Sequence, residues 1–419
     1  MKIELTLVSL FLSAVAAFAE TTVSDVSVHQ LWPWSEEVDI AYTVSGDGAD
    51  LPLKFTAQYD GGEPFVLEEK DLSGDFFDAT KVGRHHVRWS PKRAGLGAKP
   101  LFNFRILSAV PDESVGTRTY LVLDLTTGDY TYMDAEPEGG WTSDVSYCQT
   151  KMVFRRIPAG TKTLGLSAEL RTLSGATDNY CKEHEATISA DYYMGVFPVT
   201  WAQHDKVVSG KQSLGSYGLL IHQSADSYND IRGSKDEGFD WPNTGYQVRT
   251  NSYVAAFRKV AKLPYEWVID LPTVVQWDYA ARATTPNTQL WSVGGVVGDR
   301  AETLNGLLDQ IATWEHNIKD YDLSVGQHKP NGWGLYDIIG LTYEWNLDWY
   351  GNGTAYYSGT DPVGPSSGSY RSRRSANDTY TALSANKGYK FLTTTAIGTN
   401  GGESRHNYRL CIHTKRLVK

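Results

Sequence analysis

Cysteine is scarce in this chain. Only Cys148, Cys181 and Cys411 occur among its 419 residues, which excludes a densely disulfide-stapled scaffold. In an exported protein an odd number leaves at least one thiol unpaired. A Cys148–Cys181 bridge is one expectation, and the alternative is three small buried hydrophobes. A basic excess is also missing: 39 Lys and Arg stand against 49 Asp and Glu, for a net charge of −10. That balance argues against a nucleic-acid partner, and the cluster Arg371, Arg373 and Arg374 is local. A long apolar run is missing beyond Leu5 to Phe18, which is too short for a membrane span. With Lys2 before it and Ala17-Phe18-Ala19 after it, that run reads as a signal peptide over 1–19, cleaved near Ala19. The mature chain is therefore expected to be exported (secreted, periplasmic or cell-surface) with no membrane span. Nucleophile elbows, His-Glu-x-x-His, phosphate-binding loops, haem-attachment motifs and solenoid repeats are absent as well.

Aromatics and glycine are abundant: 13 Trp, 25 Tyr and 39 Gly. Residues 20–112 read as an all-β immunoglobulin-like sandwich, because short alternating strands are separated by turns about every ten residues. In "EVDIAYTVSG" the residues Val38, Ile40, Tyr42 and Val44 share one face. "LPLKFTAQYDGGEP", "GRHHVRWSP" and "LFNFRILSAV" supply further strands. His85 and His86 are strand neighbours facing opposite ways, hence structural rather than metal ligands. Residues 113–147 read as a hairpin and linker, and a second domain of mixed α+β type follows over 148–419. Three helix starts stand in it: Thr200 with Gln203 and Thr273 with Gln276 have capping-box spacing, and Val254, Phe257 and Ala261 share a helical face. From Thr342 to Trp349 the chain alternates strictly. Tyr343, Trp345, Leu347 and Trp349 then form the core face of a strand, with Thr342, Glu344, Asn346 and Asp348 opposite.

Several segments together resemble the formylglycine-generating enzyme, or sulfatase-modifying factor, domain family. "RRIPAGTKTLG" resembles its opening strand and "YYMGVFPVTWAQH" its Tyr-x-Gly-x-x-x-Val-Thr-x-x-Gln segment. "DLPTVVQWDYAARA" is similar to its Leu-Pro-Thr helix, and "PNGWGLYDIIGLTYEWNLDWYG" to its Pro-Asn-x-Trp-Gly-Leu-Tyr-Asp-x-x-Gly-Asn-x-x-Glu-Trp segment. "DPVGPSSGSYRSRR" and "NYRLC" follow in the same order. The resemblance implies an irregular α+β fold related to C-type lectin domains. It includes copper-dependent oxidases of a sulfatase cysteine, non-catalytic binding variants, and ligand-binding proteins diversified by retroelements.

The oxidase chemistry needs two thiolates for Cu(I), soon after an Arg-Gly-Gly-Ser motif in the family. Here Tyr370 to Phe391 holds no cysteine and no Gly-Gly, so copper is not expected and the chain reads as a catalytically divergent member. Asp270 and Val274 also depart from the family's usual Arg and Glu. "CKEHEA", Cys181 to Ala186, reads as a surface loop in preference to a metal site. The resemblance further implies a structural Ca2+ held by the Asp337 side chain, the Gly340 and Thr342 carbonyls and the Glu344 side chain. Such oxygen ligands suit that ion; the alternative is that Asp337 caps a turn and Glu344 is solvated. The expected binding face for a protein or glycan ligand comprises Tyr370, Arg371, Arg373, Asn377, Asp378, Tyr380, Asn386 and Tyr389, a mix that suits an adaptable binding surface. The alternative there is an ordinary polar loop. In function, the expectation is an exported ligand-binding protein with a diversified C-terminal segment. The competing reading is a formylglycine-generating-type oxidase or another enzyme of the family.

Overall fold

The computed structural model describes residues 21–46, 52–78, 81–112, 116–174, 179–208, 227–234, 237–314, 317, 320, 323–375, 395–398 and 406–414. The expected signal peptide lies outside them. The chain divides into two compact units at Glu113/Ser114.

The first unit is built of β1 (Thr22–Gln30), β2 (Val38–Ser45), β3 (Leu53–Gln58), β4 (Phe65–Val66), β5 (Leu72–Gly74), β6 (Gly83–Trp89) and β7 (Arg105–Pro111). They form two antiparallel sheets, in the orders β1-β2-β6-β5 and β4-β3-β7. The alternation read in β2 is its packing pattern: Val38, Ile40, Tyr42 and Val44 are all buried. Their face meets the second sheet, where Tyr42 packs edge-on to Phe55 at 5.4 Å and Trp89 lies 5.5 Å from Phe65. His85 stacks on Tyr42 while its neighbour His86 is exposed, as the strand period requires.

Among its described residues the second unit mixes thirteen further strands with short helices. Its strands are β8 (Tyr120–Asp124), β9 (Tyr130–Met133), β10 (Lys151–Ile157), β11 (Gly160–Leu164), β12 (His184–Ile188), β13 (Tyr192–Gly195), β14 (Val268–Asp270), β15 (Tyr343–Trp349), β16 (Gly359–Thr360), β17 (Tyr370–Arg374), β18 (Thr395–Gly398), β19 (His406–Tyr408) and β20 (Cys411–His413). The helices are α1 (Ser146–Gln149), α2 (Ala168–Ser174), α3 (Trp201–Val207), α4 (Tyr228–Ile231), α5 (Tyr253–Val260), α6 (Val274–Arg282) and α7 (Ala301–Leu308). Three sheets result, in the orders β14-β20-β13-β10-β8-β9, β11-β12-β16 and β18-β17-β15-β19. Within the segment expected to be a hairpin and linker, Tyr120–Asp124 and Tyr130–Met133 pair as an antiparallel hairpin. This hairpin, β8–β9, is the outer edge of the six-stranded sheet, with Val122 opposite Val153. A partner strand thirty residues away decided that, and no local signal carries it.

Helix starts were more local matters. Thr200 caps α3 and Thr273 caps α6, each in a closed capping box with Gln203 and Gln276. Val254 and Phe257 of α5 are buried, but the helix stops at Val260 and Ala261 turns extended. Lys262 then donates its backbone N–H to the Gly128 carbonyl of the β8–β9 turn, so the chain leaves the helix to meet that hairpin.

The expected Cys148–Cys181 bridge is not formed, and all three cysteines are buried outside any disulfide. Cys148 packs with Trp141 and Val153 in a smaller core cluster. Cys181 and Cys411 belong to the larger cluster around Trp277 and Trp314. "CKEHEA" is therefore no surface loop throughout, since its cysteine is core and its histidine opens β12.

Candidate functional site

β15 organises the region where the expected site residues fall. β17 runs antiparallel on one edge, with Glu344 opposite Arg374 and Trp345 opposite Arg373, and β19 runs parallel on the other. Every residue of β15 is buried. Tyr343, Trp345, Leu347 and Trp349 form the expected apolar face, but Glu344, Asn346 and Asp348 are buried too. The acidic face is not solvated, because α6 covers it: Trp277 Nε1 donates to Glu344 at 2.7 Å and the Val274 N–H to Asp348 at 2.7 Å.

Glu344 is paired as a structural carboxylate. Arg409 Nη2 donates to its Oε1 at 2.7 Å, and Arg409 Nε lies 3.1 Å from both oxygens. The remaining Arg409 N–H groups go to the carbonyls of Gly195, Val196 and Tyr336 at 2.8–3.0 Å. All five guanidinium donors are thus used, which is what makes a buried ion pair tolerable. Asp337 is buried close by. Burial pushes its carboxyl up to about 6; the Gly326 N–H, at 2.7 Å, and Arg409 oppose the rise, while Glu344 adds to it. The Gly340 carbonyl accepts the Ser375 hydroxyl at 2.8 Å and the Thr342 N–H at 2.7 Å. The Thr342 hydroxyl turns to the Tyr343 carbonyl at 3.3 Å. Asp337 and Leu341 both have positive φ, 52° and 60°, so this is a tight turn, and Leu341 sits where a side-chain amide would be easier to hold.

The four positions expected to bind Ca2+ thus surround one turn, but three of them already accept hydrogen bonds from protein donors. A buried arginine neutralises Glu344. Among the described residues no group of three or more His, Cys, Asp or Glu is close enough to hold a metal ion. In this arrangement protein hydrogen bonds hold the Asp337, Gly340 and Glu344 oxygens in place. Burial pushes the Cys148 thiol up to about 12 and the Cys411 thiol well above its ordinary range, which opposes thiolate formation.

Of the expected binding face, Asn377, Asp378, Tyr380, Asn386 and Tyr389 lie outside the described residues. β17 places the other three. Tyr370 is half exposed, at 50 %. Arg371 is buried, a correction to its expected surface role. Its guanidinium lies 3.5 Å from the Trp349 ring centroid and 4.3 Å from that of Tyr228, donates to the Leu347 carbonyl and pairs with Asp240. Such a planar cation stacks on rings while its edge keeps its ion pair. Arg373 stands 3.7 Å from the Tyr343 ring centroid and donates to His406 Nε2 at 2.6 Å. His406 in turn meets Tyr343 and Trp345 edge-on at 5.4 and 5.5 Å. Arg374 reaches across to Asp278 of α6, whose carboxyl burial pushes up to about 6 against the pull of Arg374.

Sequence reasoning missed Tyr228, Asp240, Asp278 and His406, the partners that hold these arginines. A local signal existed only for α4, where Ser227 and Asp230 form a capping box directly ahead of and around Tyr228.

Residues 146–398 match the sulfatase-modifying factor enzyme 1-like domain. The chain belongs to that family. It is 26% identical to the mouse (Mus musculus) formylglycine-generating enzyme over 252 residues, which is 54% of this chain and 65% of the mouse protein. It is 32% identical to the Streptomyces coelicolor formylglycine-generating enzyme over 118 residues, 24% of this chain and 33% of that protein. The chain thus spans just under two thirds of the mouse relative and a third of the bacterial one. Among solved structures, Treponema denticola variable protein 1 aligns with 20% identity and a TM-score of 0.43, over 62% of this chain and 95% of its own. PvdO from Pseudomonas aeruginosa aligns with 14% identity and a TM-score of 0.43, over 62% and 94%.

Proposed function

We propose that this family member is an exported, non-catalytic ligand-binding protein. It uses the sulfatase-modifying factor scaffold to present the segment from Tyr370 to His406 to a protein or glycan ligand. The observation that carries the reading is the distribution of thiols. The segment that holds the copper-binding pair in the oxidases has no cysteine in this chain, and all three cysteines are buried in packed cores. Two soft ligands for Cu(I) are therefore not on offer. The arginines at the start of that segment support the same reading: Arg371 and Arg374 are spent on Asp240 and Asp278, so they stiffen the platform, and recognition falls to Tyr370 and the residues beyond Ser375. Function on loops carried by a rigid frame is a common arrangement.

Export rests on the apolar run at Leu5 to Phe18. No helix among the described residues is long and apolar enough to cross a membrane. The first unit, with its four- and three-stranded antiparallel sheets, is read as an immunoglobulin-type module. If the segment is retroelement-diversified, sibling sequences differ mainly between Tyr370 and His406. Two measurements test the proposal. The full chain loaded with Cu(I) and offered a cysteine-containing sulfatase peptide is expected to consume no oxygen; turnover would overturn the non-catalytic reading. On arrays of glycans and extracellular proteins, wild type is expected to bind a ligand that Tyr380→Ala and Asn377→Ala lose while their thermal unfolding is unchanged. Unaltered binding by both variants would dismiss this face.

A further inference from the structure

The first unit carries a cleft of about 440 Å³ at the β3–β4 end of its smaller sheet, within the range of roughly 300–1,000 Å³ that small-molecule sites occupy. Its walls are aromatic. Phe65 of β4 lies 5.9 Å from Tyr59, edge-on, and 5.5 Å from Trp89, which closes the back. The turn between the two strands sets the rim. Asp60 and Gly61 both have positive φ, the Gly62 N–H closes onto the Tyr59 carbonyl at 2.9 Å, and the Asp60 N–H is anchored to the Phe102 carbonyl at 3.0 Å. That geometry holds Asp60 and Glu63 at the mouth.

Charge decides what such a cleft would take. Asp60, Glu63, Glu68 and Asp71 line it, with Lys70 as the basic lining residue. Lys70 is spent on Asp71 at 3.1 Å. Among the described residues no basic side chain forms an ion pair with Asp60, Glu63 or Glu68. These carboxylates are spread around the opening and do not converge in a set that could hold a metal ion. Dispersed negative charge around ring faces suits a broad, weakly hydrated organic cation better than a compact metal ion. The Tyr59 ring already shows the affinity, since Lys99 Nζ stands 5.1 Å from its centroid. Phe65 and the three carboxylates are left for a guest.

We infer that this cleft is a second binding site, separate from the segment at Tyr370 to His406, for a guanidinium or alkylammonium group. Two sources of that chemistry exist, a free small amine and an arginine or lysine side chain on a peptide. A neutral sugar would use the rings and some carboxylates but would gain nothing from the net charge.

Calorimetric titration of the full chain separates these cases. The probes are N-acetylarginine amide, its uncharged isostere N-acetylcitrulline amide, methyl glucoside, and the capped tripeptide Gly-Arg-Gly. The arginine amide is expected to bind, with the citrulline amide weaker by about tenfold or more, and to weaken as salt is raised, because the rim charges are exposed to solvent. Asp60→Asn and Glu63→Gln should each lower its affinity severalfold with unchanged thermal unfolding, since both side chains are exposed. Tighter binding of the tripeptide points to a peptide-borne cation, and equal binding to a free amine. Equal affinity for arginine and citrulline amides, binding of the glucoside alone, no heat from the arginine amide at about 10 mM, or unchanged binding in the Asp60→Asn/Glu63→Gln double variant would each overturn the inference.

Discussion

Asp348→Asn should stabilise this protein, and only at higher pH. Asp348 sits at the centre of the covered face of β15, fully out of solvent. Its Oδ2 accepts the Val274 N–H, its Oδ1 has no partner, and Gly364 lies so close that a Cβ there would stand 2.7 Å from that oxygen. Burial pushes the carboxyl from 3.8 up to about 7, against the pull of the Val274 N–H, Arg374 and Arg371. The folded chain then keeps a proton that the unfolded chain releases above about pH 4. With more protons bound in the native state, stability falls as pH rises through the window from about 4 to about 7, and the full cost stands above it. A rise of that size corresponds to at most about 4 kcal/mol. Asparagine is the neutral shape of the same side chain and carries no such cost. In guanidinium chloride unfolding followed by tryptophan fluorescence, which reports mainly the Trp-rich second unit, the variant should match wild type near pH 4. By pH 8 it should exceed wild type by about 2–4 kcal/mol. Asp278 and Asp337 titrate alike in both proteins and drop out of the difference. A gain equal at both pH values, or a loss that deepens with pH, would refute the reasoning.

Glu344→Gln should be costly, because it leaves the Arg409 guanidinium buried without its counter-charge; about 3–5 kcal/mol is expected by urea unfolding. A paired Glu344→Leu/Arg409→Met variant should recover part of that loss, and failure to recover any would mean that the backbone carbonyls around Arg409 depend on its guanidinium more than Glu344 does. Dialysis against EGTA should leave the thermal midpoint within about 1 °C. A larger fall, reversed by calcium, would restore an ion to Asp337, Gly340, Thr342 and Glu344. Thr273→Ala should cost about 1 kcal/mol through the lost cap on α6, which places Val274 and Trp277 against Asp348 and Glu344, and an unchanged midpoint would contradict that role.

What could be read from the sequence was whatever a few neighbouring residues decide. The two Thr-x-x-Gln boxes closed as expected because capping is completed within one helical turn. The alternation of β15 gave its two faces correctly, because period two follows from the pleat alone. Whether the second face would meet water was not readable. Its covers are α6, about seventy residues earlier, and Arg409, sixty-five residues later. The same limit applies to the expected hairpin, whose place in the six-stranded sheet was not readable. Tyr120–Asp124 has no local mark of being an inner strand, and only its pairing with Lys151–Ile157 makes it one.

The arginines of β17 show how that limit bears on function. From sequence, Arg371 and Arg373 look like a binding face, being polar groups beside aromatics. In the fold the aromatics are their internal partners: Trp349 and Tyr228 enclose Arg371, and Tyr343 lies against Arg373. A guanidinium held between rings and an aspartate has little left to offer a ligand. It does fix the strand from which the next segment departs. The consequence is a division of labour along a single strand. Its buried side chains lock it to β15 and α6, and exposed Tyr370 stands at one end. At the other, Ser375 is tied to the Gly340 carbonyl, so the chain beyond it leaves from a fixed point. Under the proposed binding function, variation after Ser375 would change what is recognised without loosening the frame, the property a ligand-binding platform needs.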